Sequence, residues 1–200
     1  GQLSDAEMQA IARELNNGAL TASLLNDLGN VLAAEGRFAE AVSAYTECTE
    51  LAKASGDEMT LAVANEELGM NYQLMGLPAE AMQRLETARG IYEKLHGKTS
   101  ASVGNVLLNM GNALEALARH EDSITAYREA LAIVEPLSGG SAQEVAYLHI
   151  NIGWSLAQLK RYDEAEPLAQ LGRELGDDQD LLTQMLWRQV QALVDSSRGR

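Results

Sequence analysis

Apolar residues recur along the chain at intervals of three and four positions, which places them on one face of an α-helix. Leu25, Leu28 and Leu32 form one such series, and comparable series follow for most of the chain. Each series is followed by a second amphipathic stretch, the first of which begins near Phe38. The pattern therefore predicts an all-α protein in which amphipathic helices come in consecutive pairs.

The helix pairs belong to a repeat that is marked by an apolar residue followed by glycine. This dipeptide begins at Leu28, Leu68, Met110 and Ile152, so that its spacing is 40, 42 and 42 residues. A small residue stands at the twelfth position after each glycine, and Tyr, Leu, Tyr or Ala stands at the sixteenth. Agreement at several positions in all four copies indicates one two-helix unit repeated four times.

The glycine of each copy needs a structural reason, because glycine inside a helix costs roughly 1 kcal/mol relative to alanine. We expect close packing between the two helices of a copy, with Gly29 against Ala41 and Gly69 against Ala81. Seven residues after this glycine the first copy has another, Gly36, at the predicted turn between the helices. A glycine at a turn favours a left-handed backbone with positive φ.

The pattern resembles the tetratricopeptide repeat over residues 22–175. The copies are longer than the usual 34 residues by six to eight, and polar links such as residues 95–103 join them. Long copies with polar links are similar to the kinesin light chain type of repeat, and so is the segment 160–168, KRYDEAEPL, at the start of a second helix. The resemblance implies an α-solenoid, a right-handed superhelix of helix-turn-helix repeats.

The predicted organisation is a single repeat domain that spans residues 1–200. Its parts are an N-terminal capping helix at 4–17, repeat 1 at 22–57, repeat 2 at 62–98, repeat 3 at 102–138, repeat 4 at 143–176 and a C-terminal capping helix at 179–195. Residues 4–7, Ser-Asp-Ala-Glu, match a capping box. We expect the last helix to cover repeat 4, because terminal repeats need a cover. Its covering stripe is predicted to consist of Leu181, Leu182, Met185, Leu186, Val190 and Leu193.

The resemblance also implies that the first helices of the copies line a concave groove that binds a peptide. The residue directly before the apolar-glycine pair lies on a side of the helix other than the core side. The residues three and four positions from it share that side. The candidate binding residues are Asp27, Asn30, Glu67, Met70, Asn105, Asn109, Asn112, Tyr147, Asn151, Trp154 and Gln158.

Asparagine is concentrated on this predicted face, although its amide competes for backbone hydrogen bonds inside a helix. Asn105, Asn109 and Asn112 share one side of the first helix of the third copy. An amide both donates and accepts hydrogen bonds. Asn30, Asn109, Asn112 and Asn151 are therefore predicted to form a ladder along the main chain of an extended peptide, and Asn105 is a further candidate binding residue. For Asn109 and Asn151 a bond to a neighbouring repeat, which would specify stacking, is an open alternative.

Trp154 indicates a binding site more directly than the other residues of this face. Tryptophan is among the residue types most enriched where binding energy is concentrated, and only 4% of the chain is aromatic. The alternative is that the C-terminal helix covers Trp154. Trp187 is predicted to lie in the core of that terminal helix.

Charge narrows the choice of partner. The 29 acidic and 15 basic side chains give a formal charge of -14, which disfavours nucleic acid and anionic membrane because both need clustered cations. The four first-helix segments contain no Lys or Arg, so the basic clamp with which some tetratricopeptide domains hold a carboxylate is missing. An acidic peptide would meet like charge at Asp27 and Glu67, which costs about 1 kcal/mol per close pair. A neutral or basic peptide is therefore predicted.

The sequence predicts neither a catalytic residue nor a metal or cofactor site. His96, His120 and His149 lie in different copies and lack a ligand partner at helical spacing. Cys48, the only cysteine, has no histidine on its helix to activate it, and it forms no disulfide within the chain. A reducing, cytoplasmic location is therefore the default expectation.

Together these features predict a non-catalytic scaffold or adaptor that binds an extended or helical peptide, neutral or basic in character, in its concave groove. Two alternatives from other classes stay open. One is a homo-oligomeric assembly unit, and the other is a sensory or regulatory region of a larger multidomain protein.

Overall fold

The computed structural model describes residue 7 and residues 18–137, 142–176 and 180–199. Within these residues it contains nine helices and no strand, which confirms the predicted all-α class. The helices are α1 (Gly18–Ala34), α2 (Phe38–Ser55), α3 (Glu58–Leu74), α4 (Pro78–His96), α5 (Ala101–Ala116), α6 (His120–Leu137), α7 (Ala142–Gln158), α8 (Tyr162–Leu175) and α9 (Leu181–Ser197). The predicted N-terminal capping helix at 4–17 lies, apart from Glu7, outside the described residues.

The chain divides into two compact units, unit 1 (Gly1–Lys98) and unit 2 (Thr99–Arg200). In unit 1, α1 packs on α2 and α3 packs on α4, while α3 also contacts α1 and α2. In unit 2, α5 packs on α6 and α7 packs on α8, while α6 contacts α7 and α9 contacts both α7 and α8. Each unit therefore contains two stacked helical hairpins, as expected for consecutive copies of the repeat.

Several helix starts follow from local residues. The carboxylate of Asp57 accepts a hydrogen bond of 3.0 Å from the backbone N–H of Thr60 and so caps α3. Asp180 caps α9 in the same way, through the N–H of Leu182 at 3.1 Å. Pro78 begins α4, where its missing N–H would have had no partner inside the helix.

The turn inside each hairpin holds one residue in the left-handed conformation, seven positions after the repeat glycine. The φ angles are +76° at Gly36, +74° at Gly76, +56° at Ala118 and +62° at Lys160. Glycine adopts this backbone without strain, whereas a residue with a Cβ loses about 1–2 kcal/mol there. The prediction of a positive φ is confirmed, and both turns of unit 2 carry a strain that those of unit 1 avoid.

The repeat glycine makes room for the side chain that stands sixteen residues later. A Cβ added to Gly29 would lie 2.5 Å from the ring of Tyr45, and one added to Gly111 would lie 2.4 Å from the ring of Tyr127. Close packing between the two helices is confirmed. The atoms nearest to Gly29 belong to the ring of Tyr45, however, and not to the predicted partner Ala41.

The other two copies pack more closely because the residue in the tyrosine position is smaller. A Cβ on Gly69 would lie 2.6 Å from the side chain of Leu85 and 3.4 Å from the carbonyl oxygen of Ala81, so the predicted partner Ala81 is only the second contact. At Gly153 the nearest atom is backbone, the carbonyl oxygen of Ala165 at 3.0 Å. The hairpin of the fourth copy is thus held by contact between the helix backbones.

Large apolar side chains fill the centre of each unit, and burying each of them contributes roughly 1.5–3 kcal/mol. The largest fully buried side chains of unit 1 include Tyr45, Leu28, Leu68 and Leu85, and those of unit 2 include Tyr127, Leu107, Leu148, Ile150, Ile152 and Leu156. Among the described helices, none is both long enough and apolar enough to cross a lipid bilayer.

The C-terminal helix α9 buries Val190 of the predicted stripe and half-buries Leu186 and Leu193, but it exposes the first three residues of that stripe. Thr183, Val190 and Val194 are its buried residues, and they lie on the side that packs against α7 and α8. The first three members of the predicted stripe are instead exposed by more than half: Leu181 by 73%, Leu182 by 54% and Met185 by 56%. The helical phase that buries Thr183 turns these three side chains away from the hairpin.

Candidate peptide-binding surfaces

In unit 1 the predicted binding residues lie on α1 and α3, the first helices of its two hairpins. Asp27 and Asn30 are exposed, and Glu67 and Met70 are half-buried. Within each pair the two residues are three positions apart and so share one side of their helix. Because α1 and α3 touch each other, the two pairs belong to adjacent helices of the same unit.

A tyrosine from the second helix joins these two helices. The hydroxyl of Tyr45 donates a hydrogen bond of 2.7 Å to Oδ1 of Asn30. The side chain of Glu67 lies close to the same hydroxyl: burial raises the pKa of Glu67, and the hydroxyl of Tyr45 partly opposes this rise. Asn30 therefore anchors Tyr45 inside the protein. The Nδ2 amide of Asn30 is the part of this side chain that is left to donate to a ligand.

Glu66 forms a second carboxylate contact in unit 1. The hydroxyl of Tyr92 donates a hydrogen bond of 3.0 Å to Oε2 of Glu66. Burial raises the pKa of Glu66, the Tyr92 hydroxyl opposes this rise, and the neighbouring charge of Glu67 adds to it. Unit 1 thus places two adjacent, partly buried carboxylates on α3.

In unit 2 the predicted binding residues lie on α5 and α7, again the first helices of the hairpins. Asn105 is exposed, and Asn109, Asn112, Tyr147, Trp154 and Gln158 are half-buried, whereas Asn151 is buried. The exposed fraction of Asn151 is only 6%. The surface open to a ligand in unit 2 therefore consists of the other six residues.

Asn112 accepts a hydrogen bond from a tyrosine hydroxyl, as Asn30 does. The hydroxyl of Tyr127 donates a hydrogen bond of 2.8 Å to Oδ1 of Asn112. The hydroxyl of Tyr147 lies 3.5 Å from the same oxygen, at the limit of a hydrogen bond. Asn112 on α5 thus contacts both α6 and α7, and its Nδ2 amide is the group that could still bind a peptide carbonyl.

Asn151 bonds within its own helix. Its Nδ2 group donates a hydrogen bond of 2.8 Å to the backbone oxygen of Tyr147, one turn earlier on α7. This bond belongs neither to a ladder along a peptide nor to a contact with a neighbouring repeat. Together with the burial of Asn151, it argues against direct contact between this residue and a ligand.

A pairing between two repeat positions accounts for Asn30 and Asn112. Asparagine directly after the repeat glycine occurs only in the two copies with tyrosine fifteen residues later, Asn30 with Tyr45 and Asn112 with Tyr127. The other two copies have an apolar residue there instead, Met70 with Leu85 and Trp154 with Ala169. Comparing these two positions across the copies is the signal that would have revealed the contact.

Trp154 presents an aromatic side chain at the position that asparagine occupies in two other copies. It follows Gly153, whose close contact with the backbone of α8 fixes this part of α7. Tyr147 precedes Trp154 by seven residues, so the two side chains lie on the same side of α7 about 10 Å apart along its axis. Both are half-buried, so each has a firm base and an accessible part.

A cluster in unit 2 contains serine, histidine and glutamate but lacks the connection that nucleophilic catalysis needs. Ser155 donates a hydrogen bond of 2.6 Å to Oε2 of Glu115, and Ser123 lies 3.1 Å from the same oxygen. Nδ1 of His120 lies 3.0 Å from the other oxygen of Glu115. The serine hydroxyls therefore meet the carboxylate rather than the imidazole, unlike in a Ser-His-Asp triad, and both serines are fully buried. The cluster joins α5, α6 and α7.

Other reactive side chains are buried in forms that suit the core. His149 is 9% exposed, and burial lowers its pKa, so the imidazole is neutral. Burial together with the nearby carboxylates of Asp57 and Asp27 raises the pKa of the Cys48 thiol to about 11, which keeps it protonated and unreactive. In the parts of the chain that the structure describes, no group of three or more His, Cys, Asp or Glu side chains could hold a metal ion.

The first helices of both units are free of cationic side chains. The helices α1, α3, α5 and α7 contain neither Lys nor Arg. They carry carboxylates, of which Glu67 and Glu115 are examples. The electrostatic character of these surfaces is therefore acidic, as predicted.

Solved structures of low sequence identity share this fold. BtubC from P. vanneervenii is 20% identical, with 86% of this chain and 70% of BtubC covered at a TM-score of 0.79. Aspartyl phosphate phosphatase F from Bacillus subtilis is 14% identical, with 97% of this chain and 51% of the phosphatase covered at a TM-score of 0.78. A kinesin light chain structure from Podospora anserina with nearly identical TPR-like repeats is 15% identical, with coverage of 91% and 98% and a TM-score of 0.67. At such identities the likeness shows the fold alone, and this chain spans about half the length of the phosphatase.

Family models match most of the chain. One model, described as tetratricopeptide repeat, matches residues 59–135 and 102–176, and a second model with the same description matches residues 21–55. No curated protein matches the chain significantly by sequence. The matched ranges contain the four glycine-centred copies and the stacked hairpins of both units. The chain therefore belongs to the tetratricopeptide repeat family, with its all-α, solenoid-type fold.

Proposed function

We propose that the protein is a non-catalytic binding module, and that the surface of α7 and α5 in unit 2 binds a peptide of neutral or basic character. Tetratricopeptide repeats are protein-interaction scaffolds, and this chain belongs to that family. The observation that carries the proposal is the half-buried position of Trp154 on the same side of α7 as Tyr147. An aromatic side chain with a fixed base and an accessible part is the usual centre of a binding site.

The chemistry around Trp154 defines the peptide. Tyr147 and the Nδ2 amide of Asn112 supply polar contacts for peptide carbonyls, because Oδ1 of Asn112 is already occupied by tyrosine hydroxyls. No cation on α5 or α7 could hold a carboxylate, and Glu115 makes an acidic ligand unfavourable. A neutral or lysine- and arginine-containing segment fits these groups. Action in the cytoplasm is part of the proposal and depends on the single buried cysteine, Cys48.

Selection from a random peptide library displayed on phage tests the proposal. We expect the selection to yield a group of peptides that is depleted in Asp and Glu and whose binding Trp154→Ala weakens by more than about 1 kcal/mol in calorimetric titrations. Asn112→Ala should have an effect of the same kind. Trp187→Ala is the matched control, because Trp187 lies outside the proposed surface. The guanidinium of Arg173 covers it, with the guanidinium carbon 4.3 Å from the centre of the Trp187 ring. Unchanged affinity in both the Trp154 and the Asn112 variants would refute the assignment.

Self-association is a second candidate function, which one observation favours. Leu181, Leu182 and Met185 expose an apolar face of α9 that no described helix covers. Two copies of the chain could bury these faces against each other. Sedimentation analysis would then show a concentration-dependent dimer that Leu182→Glu abolishes, whereas a monomer at all concentrations would exclude this function.

A further inference from the structure

A cavity of about 380 Å³ opens in unit 1 between the second helices of its two hairpins, α2 and α4. Its volume lies within the range of small ligand sites. It lies on different helices from the peptide-binding surface proposed above. The lining residues that matter here are Thr46, Thr49 and Lys53 of α2, Asn65 of α3, and Arg84 and Thr87 of α4.

The cavity has a polar base because the second copy of the repeat has asparagine where the first and third copies have leucine. Four residues before the repeat glycine stand Leu25 in the first copy and Leu107 in the third, and both are buried core residues. The second copy has Asn65 in this position, 2% exposed, where it borders the cavity. Nδ2 of Asn65 donates a hydrogen bond of 2.8 Å to the backbone oxygen of Leu61. Oδ1 of Asn65 is therefore the atom that could accept a hydrogen bond from a ligand.

The three threonines of the cavity have already used their hydroxyl hydrogens. Thr46 donates to the backbone oxygen of Val42 at 2.7 Å, Thr49 to that of Thr46 at 2.7 Å, and Thr87 to that of Gln83 at 3.0 Å. A hydroxyl that donates inside its own helix keeps its lone pairs for an external donor. The walls of the cavity therefore offer hydrogen-bond acceptors.

The donors of the cavity are two cations that line it from different helices. Lys53 comes from α2 and Arg84 comes from α4, and neither forms an ion pair with any residue in the described part of the chain. The lining includes one carboxylate, that of Glu50, so the cavity carries a net charge of one positive unit in a chain of charge -14. Two unpaired cations in one recess attract an anionic group.

We propose that this cavity binds an acidic segment of extended peptide. Carboxylate side chains of the peptide pair with Lys53 and Arg84, and its backbone N–H groups donate to the threonine oxygens and to Oδ1 of Asn65. Inorganic phosphate meets the same cations but has few O–H hydrogens near neutral pH, whereas each backbone N–H of a peptide is a donor, so a peptide can satisfy both the cations and the acceptors of the cavity. The inference goes beyond the proposed function, because it concerns another surface and a ligand of the opposite charge.

The experiment uses the capped peptide acetyl-Gly-Glu-Ser-Glu-Gly-amide, its glutamine counterpart and pyrophosphate as probes, with the full chain labelled for NMR. We expect the acidic peptide to shift the amide signals of α2, α3 and α4 around Thr49 and Asn65. The double variant Lys53→Gln/Arg84→Gln should bind it at least about fivefold more weakly. The matched control Lys98→Gln/Arg188→Gln removes the same charge at exposed positions and should bind as the unaltered protein does.

Four results would overturn the inference: no shift in these helices, equal binding of the glutamine peptide, an equal loss in the control variant, or binding of pyrophosphate at this site as tightly as the peptide. The Trp154→Ala variant separates the two proposals. It should keep the affinity for the acidic peptide unchanged, whether or not it loses the library-selected peptides.

Discussion

The hydroxyl of Tyr127 on α6 donates a hydrogen bond of 2.8 Å to Oδ1 of Asn112 on α5, and the ring of Tyr127 lies against Gly111. The ring can approach only because the glycine has no Cβ, and the hydroxyl finds an acceptor only because asparagine follows the glycine. Three positions in two helices thus depend on one another. The same relationship holds between Tyr45 and Asn30 in the first copy.

A double-mutant cycle should detect this dependence. We expect Tyr127→Phe and Asn112→Ala each to lower the free energy of unfolding, and the double variant to lose about 1 kcal/mol less than the sum. Urea denaturation followed by circular dichroism measures all four proteins. Tyr162→Phe, at the half-buried start of α8, serves as the control and should combine additively with Asn112→Ala. Additive losses for the Tyr127 pair would contradict the coupling.

Gly111→Ala should destabilise the protein by about 2 kcal/mol or more, because its Cβ would lie 2.4 Å from the ring of Tyr127 and force the two helices apart. Gly90→Ala is the matched control. Gly90 lies inside α4, and nothing stands within 4 Å of the Cβ it would gain, so alanine should stabilise the helix there by about 1 kcal/mol. Thermal unfolding would show opposite shifts, and a loss of stability in both variants would rule out this explanation.

Ala118→Gly should stabilise the protein by about 0.5–1 kcal/mol, since Ala118 has a φ of +56° in the turn between α5 and α6. Relief of the left-handed strain exceeds the larger entropy that glycine brings to the unfolded chain. The converse change, Gly76→Ala at a φ of +74°, should cost about 1 kcal/mol. Denaturant midpoints that move the other way for either variant would disprove the account.

Glu66→Gln should raise the free energy of unfolding at pH 7. Burial raises the pKa of Glu66 above its ordinary value of 4.5. The folded protein therefore holds this proton more tightly than the unfolded chain does. The contribution of Glu66 to the free energy of unfolding falls as the pH rises from the unfolded-state pKa of Glu66 through its folded-state pKa. Glutamine removes the charge and keeps an oxygen that accepts the hydroxyl of Tyr92.

The advantage of Glu66→Gln should accordingly shrink from pH 7 towards pH 5 in urea titrations. Glu86→Gln, at an exposed position of α4, is the control for the loss of one negative charge. If the gain from Glu66→Gln were the same at both pH values, titration of Glu66 would not be its cause.

The repeat could be predicted from the sequence because it depends on local requirements. The spacing of the glycines gives the copies, and the position of Gly36 gives a left-handed turn even in the copies where Ala118 or Lys160 replaces glycine. Helix pairs follow from the apolar spacing. These features depend on backbone conformation and on one hairpin at a time, which a sequence reports directly.

Contacts that depend on exact side-chain direction could not be predicted in this way. The asparagine positions were predicted to face a ligand, yet Asn30 and Asn112 accept bonds from tyrosines fifteen residues later, which requires the crossing of the two helices. The covering face of α9 depends on how that helix rotates against α7 and α8. The rotation that buries Val194 together with Val190, a member of the predicted stripe, exposes the first three residues of the stripe, Leu181, Leu182 and Met185.

The polar contacts between hairpins have a consequence for rearranging the chain. In unit 2, Ser155 of the fourth copy bonds to Glu115 of the third, and in unit 1, Tyr45 of the first copy lies beside Glu67 of the second. Exchange of a single hairpin between proteins would deprive one of these half-buried carboxylates of the hydroxyl that the neighbouring copy supplies. The smallest module that recombination or protein engineering could transplant intact is therefore a matched pair of hairpins.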